Sequence, residues 1–327
     1  RTQGFFRVTG HGIDPALFAD LDRLARRFFA QSDQTKAEIA MAMAGPAWRG
    51  WFPVGAELTS GRPDHKEGIY FGTELPNDDP RVRAGTPLHG PNLFPDEPAG
   101  LGTAVLAYLD AATRVGHAIM SGLAIALGLP RGWFADDLTA DPTVLFRIFH
   151  YPPEVEAPEG GPHLTTPRAP AWGVAEHTDY GLLTLLAQDD RGGLEVRVDG
   201  RWLPVPAEPS VLVCNLGDML EALTAGRYRS TPHRVRNTSG AGRLSFPLFF
   251  DPGWDARVRP LPLDSLTARS DPSDPPRPTV RSDSDSTPSM QQRWDRTDPA
   301  AWTGTYGEYL TAKVSRVFPE LFASLEG

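Results

Sequence analysis

From residue 144 onward the chain breaks into short β-type runs. They lie at 144–151, 182–187, 194–198, 211–216, 233–236 and 244–250. Turn pairs such as Gly192-Gly193, Asp199-Gly200 and Gly217-Asp218 punctuate them. Glycine (32) and proline (33) together make about a fifth of the 327 residues, against roughly 12% in an average chain. So many turn residues argue against a helical bundle. Many short strands at this spacing point to a sandwich or barrel. No fixed-period repeat is present, so a solenoid or propeller is excluded.

The first part of the chain reads differently. Asp14-Pro15 is a helix start, with a capping side chain followed by proline in the first turn. Leu17, Leu21, Leu24 and Phe28 follow at helical spacing. A second, longer helix is predicted over 101–127, stopped by Gly128 and Pro130. Its residues are nearly all small and apolar, which suits a buried spine against which a sheet packs. Between the helices, 45–72 mixes Trp48, Trp51, Phe52, Tyr70 and Phe71 with glycines and prolines, and reads as loop and short strand. A closing helix is expected over 305–318. Helices first and strands later imply a mixed α/β fold, a jelly-roll core buttressed by N-terminal and central helices. We expect a mainly helical part over 1–140 and the jelly-roll core over 141–327. Residues 269–290 stand apart. Ser, Asp and Pro supply 15 of these 22 positions, so the segment is expected to be a flexible surface insertion.

Charge and cysteine content narrow the function. With 32 Lys and Arg against 41 Asp and Glu, the net charge is −9 and the pI near 5.4. Nucleic acid and anionic membranes both demand a basic face, so neither is expected as a partner. Cys214 is the single cysteine. No intrachain disulfide can form, and a cytoplasmic setting is expected. No apolar run reaches the roughly 18 residues that span a bilayer. Arg1-Thr2-Gln3-Gly4 carries no apolar signal-peptide core and no start methionine, which fits a trimmed chain.

The chemistry resides in one constellation. His177-Thr178-Asp179 is followed 54 residues later by His233. Residues two apart on an extended strand point the same way. His177 and Asp179 can therefore aim at one point, and a histidine from a distant strand completes a two-histidine, one-carboxylate set. Such a face leaves positions open and suits non-haem Fe(II) with oxygen. On spacing alone, a loop histidine and a hydrogen-bonded core histidine remain alternatives. Ten residues beyond His233 comes Arg243-Leu244-Ser245. Arg243 and Ser245 share a strand face, and a guanidinium fork with a hydroxyl is a receptor for a carboxylate. The whole pattern is far more specific than any part of it.

With these residues in place, the chain resembles the 2-oxoglutarate- and Fe(II)-dependent oxygenases of the isopenicillin N synthase-like family, over nearly its whole length. Gly4-Phe5-Phe6-Arg7-Val8-Thr9-Gly10-His11-Gly12-Ile13 is similar to the family's N-terminal signature. Tyr151-Pro152-Pro153, Asn215-Leu216-Gly217-Asp218 and Tyr228 to Val235 match further family elements. The resemblance implies a double-stranded β-helix (jelly-roll, cupin-like) core. It also implies that His177, Asp179 and His233 bind iron, and that Arg243 and Ser245 bind the C5 carboxylate of 2-oxoglutarate. Tyr151 would add a hydroxyl to that anchor. Arg147, four residues earlier at a place often basic in the family, is grouped with it. The family normally has a strand and helix ahead of Gly-Phe-Phe, and here the chain begins at that motif.

The function implied is Fe(II)-, 2-oxoglutarate- and O2-dependent oxidation of an unactivated C–H bond in a small molecule, releasing succinate and CO2. Hydroxylation is the default outcome. The alternatives are an iron oxidase of the same fold that does not consume 2-oxoglutarate and a non-catalytic binding protein. A zinc hydrolase would leave Arg243 and Ser245 without a purpose, and the charge of −9 disfavours a nucleic-acid demethylase. His11 is read as structural, His150 as packing away from Tyr151, Cys214 as a small buried hydrophobe and Asp218 as part of a turn. His65-Lys66-Glu67 fits the pocket entrance and a solvated loop equally. Trp172, Phe249 and the aromatics of 48–52 are pocket candidates that base rates assign to the core.

Overall fold

The computed structural model describes residues 3–153, 172–263 and 301–318. Two antiparallel sheets face each other. The larger holds seven strands in the order β1-β11-β8-β13-β6-β5-β2. These are β1 (Phe5–Val8), β2 (Gly50–Phe52), β5 (Glu67–Gly72), β6 (Thr143–Tyr151), β8 (Leu183–Gln188), β11 (Leu212–Leu216) and β13 (Arg243–Asp251). The smaller sheet runs β10-β9-β12-β7, with β7 (Val174–His177), β9 (Leu194–Val198), β10 (Arg201–Pro204) and β12 (His233–Val235). A two-residue ribbon, β3 (Leu58–Thr59) against β4 (Arg62–Pro63), closes one rim. This is the jelly-roll core expected from the sequence.

Helix α1 (Pro15–Phe29) starts as its sequence dictates, with the Asp14 side chain accepting from the Ala16 amide at 2.9 Å. Two single-turn helices, α2 (Asp33–Lys36) and α3 (Pro80–Arg83), connect it to the spine helix α4 (Leu101–Leu127). Leu101, Val105, Tyr108, Leu109, Ala112, Val115, Met120 and Ala124 of α4 are buried. Gly116 of this helix lies where a Cβ would meet the Phe250 ring at 2.6 Å, so the spine sits close against β13. α5 (Asp218–Leu223) and α6 (Tyr306–Val314) are the remaining α-helices among the described residues. A capping box between Thr305 and Glu308 opens α6.

Two expectations change and one gains detail. The mainly helical N-terminal part also contributes β1, β2 and β5 to the main sheet. β1 pairs with β11 from Phe5↔Asn215 to Val8↔Leu212. Gly4 makes that approach possible: its φ is +51°, and a Cβ there would sit 1.9 Å from the Arg229 carbonyl oxygen. Next, Asp218 is the first residue of α5 rather than part of a turn, since Gly217 supplies the extended N-cap. Finally, Val174–His177 and Arg201–Pro204 are strands that no apolar alternation announced. Both are short members of the smaller sheet, held by pairing more than by burial. The segment 269–290 lies outside the described residues.

Candidate active site

His177 is the last residue of β7 and His233 the first of β12, and the two are directly paired across the strands. Their ring centroids are 4.2 Å apart. Each imidazole donates its Nδ1–H to the backbone carbonyl two residues back. The distances are 2.8 Å from His177 to Ala175 and 3.1 Å from His233 to Thr231. A carbonyl can only accept, so the bond fixes the tautomer and leaves Nε2 with its lone pair toward the centre.

Asp179 lies beyond the end of β7, so strand alternation does not place it. Its carbonyl accepts from the Asp218 amide at 2.8 Å, which ties the loop to the start of α5. Asn215 Nδ2 donates to its Oδ2 at 2.6 Å and Thr184 Oγ1 donates to the same oxygen. Asn215 and Thr184 are themselves cross-strand neighbours. With Oδ2 held, Oδ1 faces the histidines, 3.8 Å from His177 Nε2 and 3.7 Å from His233 Nε2. Among the described residues, His177, Asp179 and His233 are the group whose ligand atoms converge, all within 4.8 Å of one another.

The electrostatics match the geometry. Burial, helped by the nearby His233, pulls the His177 imidazole down to about 4, so it is neutral at pH 7 and free to donate a lone pair. Burial alone would raise the Asp179 carboxyl. The two histidines and the Asn215 and Thr184 donors outweigh it and hold the carboxyl below its ordinary range. Two neutral nitrogens and one anionic oxygen on a single point form a donor set that fits a divalent iron.

The same cavity is lined by Arg243, Ser245 and Tyr151. Arg243 opposes Tyr151 across β13 and β6, and Ser245 follows on the same face. Arg243 is 1% exposed. Its Nε donates to the Gly192 carbonyl and one Nη donates to Gln188 Oε1 at 3.1 Å. The other, Nη1, is buried with no hydrogen-bond partner. The adjoining Gly193 has φ +90°, and a Cβ there would lie 2.2 Å from the Arg236 carbonyl oxygen, so glycine is required for this turn to reach Arg243. Ser245 Oγ lies 3.3 Å from Tyr151 OH. An oriented guanidinium with one unmatched donor, beside two hydroxyls, fits a carboxylate.

Arg147 lines the cavity further along β6. Its guanidinium lies between the rings of Tyr70 at 4.0 Å and Phe249 at 4.7 Å. Three neighbours here had no signal in the sequence beyond the ambiguous His65-Lys66-Glu67. Lys66 is 1% exposed, pairs with Asp64, and sits 3.1 Å from Glu57 Oε2. Tyr70 OH donates to Glu57 Oε1 at 2.6 Å. Glu67 points to the other face of β5, where Lys36, Trp51 and His150 bind it.

The remaining readings resolve individually. His11 is structural: its Nε2 donates to the Ser210 carbonyl, and its Nδ1 accepts from the Ile13 amide. His150 stacks on Phe29, away from the cavity. Cys214 is fully buried, and burial pushes its thiol up to about 12. Asp218 stays outside the converging group, with Thr178 Oγ1 donating to it at 3.2 Å. Trp48, Trp51 and Phe52 belong to the core, Trp172 lies under Arg234, and Phe249 is a cavity residue.

Comparison with known proteins now adds to this geometry. Residues 142–252 match the model of the 2OG-Fe(II) oxygenase superfamily, and residues 1–97 match the N-terminal model of non-haem dioxygenases in morphine synthesis. A probable iron/ascorbate oxidoreductase of Dictyostelium discoideum is 43% identical over 97% of this chain and 86% of its own length. The chain belongs to the 2-oxoglutarate/Fe(II) oxygenases. A 1-aminocyclopropane-1-carboxylate oxidase of the same organism is 31% identical over 97% of this chain and 87% of its own. Among solved structures, a 2OG-Fe(II) oxygenase family protein of Caulobacter crescentus is 28% identical. Its TM-score is 0.70, with 97% of this chain and 90% of that one covered. This oxygenase is thus a non-haem iron, 2-oxoglutarate-dependent dioxygenase of the isopenicillin N synthase-like type, using Fe(II), 2-oxoglutarate and O2. Among the described residues no helix is long and apolar enough to cross a membrane.

Proposed function

We propose that His177, Asp179 and His233 hold the Fe(II), that Arg243, Ser245 and Tyr151 anchor 2-oxoglutarate, and that the oxygenase hydroxylates a small molecule. The observation that carries this reading is one cavity holding both the converging donor set and the unmatched Nη1 of Arg243. When bound, iron and 2-oxoglutarate supply the oxidising power, with succinate and CO2 as by-products of the co-substrate. The chain's own residues do the rest. Ala175 and Thr231 carbonyls hold both imidazoles in the ligating tautomer. Asn215 and Thr184 leave Asp179 one oxygen to offer. Arg243 fixes the far carboxylate, so the 2-oxo acid end has one orientation. Phe5 of β1 packs edge-on to His233 at 5.3 Å and shields the site from water.

His177→Ala, Asp179→Ala or His233→Ala should abolish 2-oxoglutarate-dependent succinate release while the fold survives, as checked by circular dichroism. Full turnover in any of them with iron still bound would overturn the ligand assignment. Succinate formed per substrate consumed separates the dioxygenase from an oxidase that spares 2-oxoglutarate.

A further inference from the structure

The chain on either side of Arg243 is gripped by two side chains that lie outside the cavity. Asp189 follows the last residue of β8 and is buried. Its amide donates to the Leu244 carbonyl at 3.2 Å. The reciprocal bond of the ladder is made by its side chain, with the Leu244 amide donating to Asp189 Oδ2 at 2.7 Å. The other oxygen, Oδ1, accepts from the Arg191 amide at 3.0 Å. A carboxylate bonded to the amide two residues on starts a turn. That turn carries Gly192, whose carbonyl takes Arg243 Nε, and the preceding Gln188 takes one Nη. One carboxylate therefore sets both the strand beside Arg243 and the loop that fixes its angle.

Arg26 of α1 completes the grip. Asp22, one turn earlier, accepts from its Nε and Nη2 through both oxygens, each at 2.9 Å. A fork held in this way has its remaining donors aimed. Nη2 also donates to Asp189 Oδ2 at 2.9 Å, and Nη1 donates to the Gly242 carbonyl at 3.0 Å. Gly242 and Leu244 are the two chain neighbours of Arg243. Arg26 also supplies the charge that a buried carboxylate such as Asp189 requires. Neither Arg26 nor Asp189 is among the residues that line the cavity.

We infer that Arg26 and Asp189 are positioning residues for 2-oxoglutarate. They hold both flanks of Arg243, so that its unmatched Nη1 meets the far carboxylate at one angle. The inference rests on the proposed role of Arg243 as the co-substrate anchor. It brings α1 into the co-substrate site without any contact with the ligand. It also gives the Arg26–Asp189 pair a purpose beyond tying α1 to the sheet. The effect runs through Arg243 alone, so it reaches only ligands with a carboxylate at the far end. The 2-oxo acid end is held by other groups and is indifferent to it.

The test uses the full chain loaded with Fe(II) under nitrogen and two ligands, 2-oxoglutarate and 2-oxobutanoate. The second keeps the 2-oxo acid end and lacks the C5 carboxylate. Each is titrated by the visible absorption of its Fe(II) complex. The ratio of the two dissociation constants is then compared between proteins, in the manner of a double-mutant cycle. The parent should prefer 2-oxoglutarate at least about tenfold, the scale of a charge-assisted pair. Arg26→Met should cut that preference about fivefold, less than the loss of a group that touches Arg243 itself. Its affinity for 2-oxobutanoate should equal the parent's. Arg26→Lys should restore part, since an ammonium answers Asp189 without reproducing the fork. Asp22→Asn, at a half-exposed site, should move the ratio the same way by about twofold, because it loosens Arg26 without removing it. Fe(II) affinity measured without either ligand should not change. If Arg26→Met and Asp22→Asn weaken both ligands alike, or weaken neither, the pair only ties α1 to the sheet and the inference is overturned. Should Arg26→Met be too unstable to titrate, Arg26→Lys and Asp22→Asn decide by the same ratio. A parent that binds the two ligands equally would show that Arg243 anchors no carboxylate, and the reading beneath the inference has then failed instead.

Discussion

Two arginines line one cavity and are held in opposite ways. Arg243 is fixed through its edges, by the Gly192 carbonyl and Gln188 Oε1. Arg147 is fixed through its faces, by Tyr70 and Phe249. Hydrogen bonds are directional, so the first mode sets the angle of the fork and suits a ligand that never varies. Stacking restrains the plane and leaves rotation within it, so the second mode suits a ligand whose shape varies among members of a family. Both face the cavity where His177, Asp179 and His233 converge, and the two modes of support set different demands on whatever each fork binds.

The largest effect should come from breaking the constant end. Arg243→Leu would leave the co-substrate carboxylate desolvated and unpaired, at a cost of roughly 3–5 kcal/mol. Tenfold in affinity corresponds to about 1.4 kcal/mol, so 2-oxoglutarate binding should weaken at least about a hundredfold. Fe(II) binding, set by other residues, should change little in the same titration. Arg243→Lys should recover only part, because an ammonium does not reproduce the planar fork. An unchanged 2-oxoglutarate requirement in Arg243→Leu would favour an oxidase that does not consume it.

A smaller loss should follow when the fork is kept and its support removed. Gln188→Leu strips the acceptor from one Nη of Arg243. A lost hydrogen bond to a charged group is worth about 1.5–3 kcal/mol. We expect 2-oxoglutarate affinity to fall by about tenfold, at the low end of that range, since the ligand itself can take up the freed donor. The half-saturating concentration of the primary substrate should not move. If it moves equally, the two ends are not independent.

How much of this was legible in the sequence follows the same division. The converging His177, Asp179 and His233 and the cavity-lining Arg243 and Ser245 were readable because the proposed chemistry demands particular residue types at particular spacings. The spine helix was readable too, its ends fixed by Gly100 and Gly128, both in left-handed conformation. For Asp179, which does converge with the two histidines, strand alternation is an incomplete reason. Strand alternation ends at His177, and the loop beyond it is set by Asn215, Thr184 and the Asp218 amide, all distant in sequence. Gln188 drew no reading and Gly192 read only as a turn, because their partner, Arg243, lies more than fifty positions on. The far wall was least legible. Glu57, Lys66 and Tyr70 come from one rim hairpin and β5, and only the fold brings them beside Arg147 and Phe249. Assigning Phe249 to the core was reasonable for an isolated aromatic and wrong for one that covers a cation.

The smallest effect should come from thinning the aromatic clamp. Phe249→Leu keeps an apolar side chain of β13 next to Thr184 but removes one of the two rings against Arg147. A cation over an aromatic face is worth about 0.5–1 kcal/mol when exposed and about 2 when desolvated. Arg147 is mostly buried yet open to the cavity, so an intermediate cost of about 1 kcal/mol is expected, or about fivefold in the half-saturating concentration of the primary substrate. Tyr70→Phe separates the ring from its hydroxyl. It keeps the stacking surface and removes the donor to Glu57 Oε1, which frees that oxygen to draw the guanidinium edge away from the cavity. If face contact alone positions Arg147, Tyr70→Phe should bind substrate like the parent while Phe249→Leu does not. If the Glu57 carboxylate must also be held off, both variants weaken substrate binding and the double variant exceeds the sum of the two. Either way 2-oxoglutarate affinity should stay at the parental value. A loss there in Phe249→Leu would mean that the two arginines share one ligand, and the contrast between edge and face would lose its functional meaning.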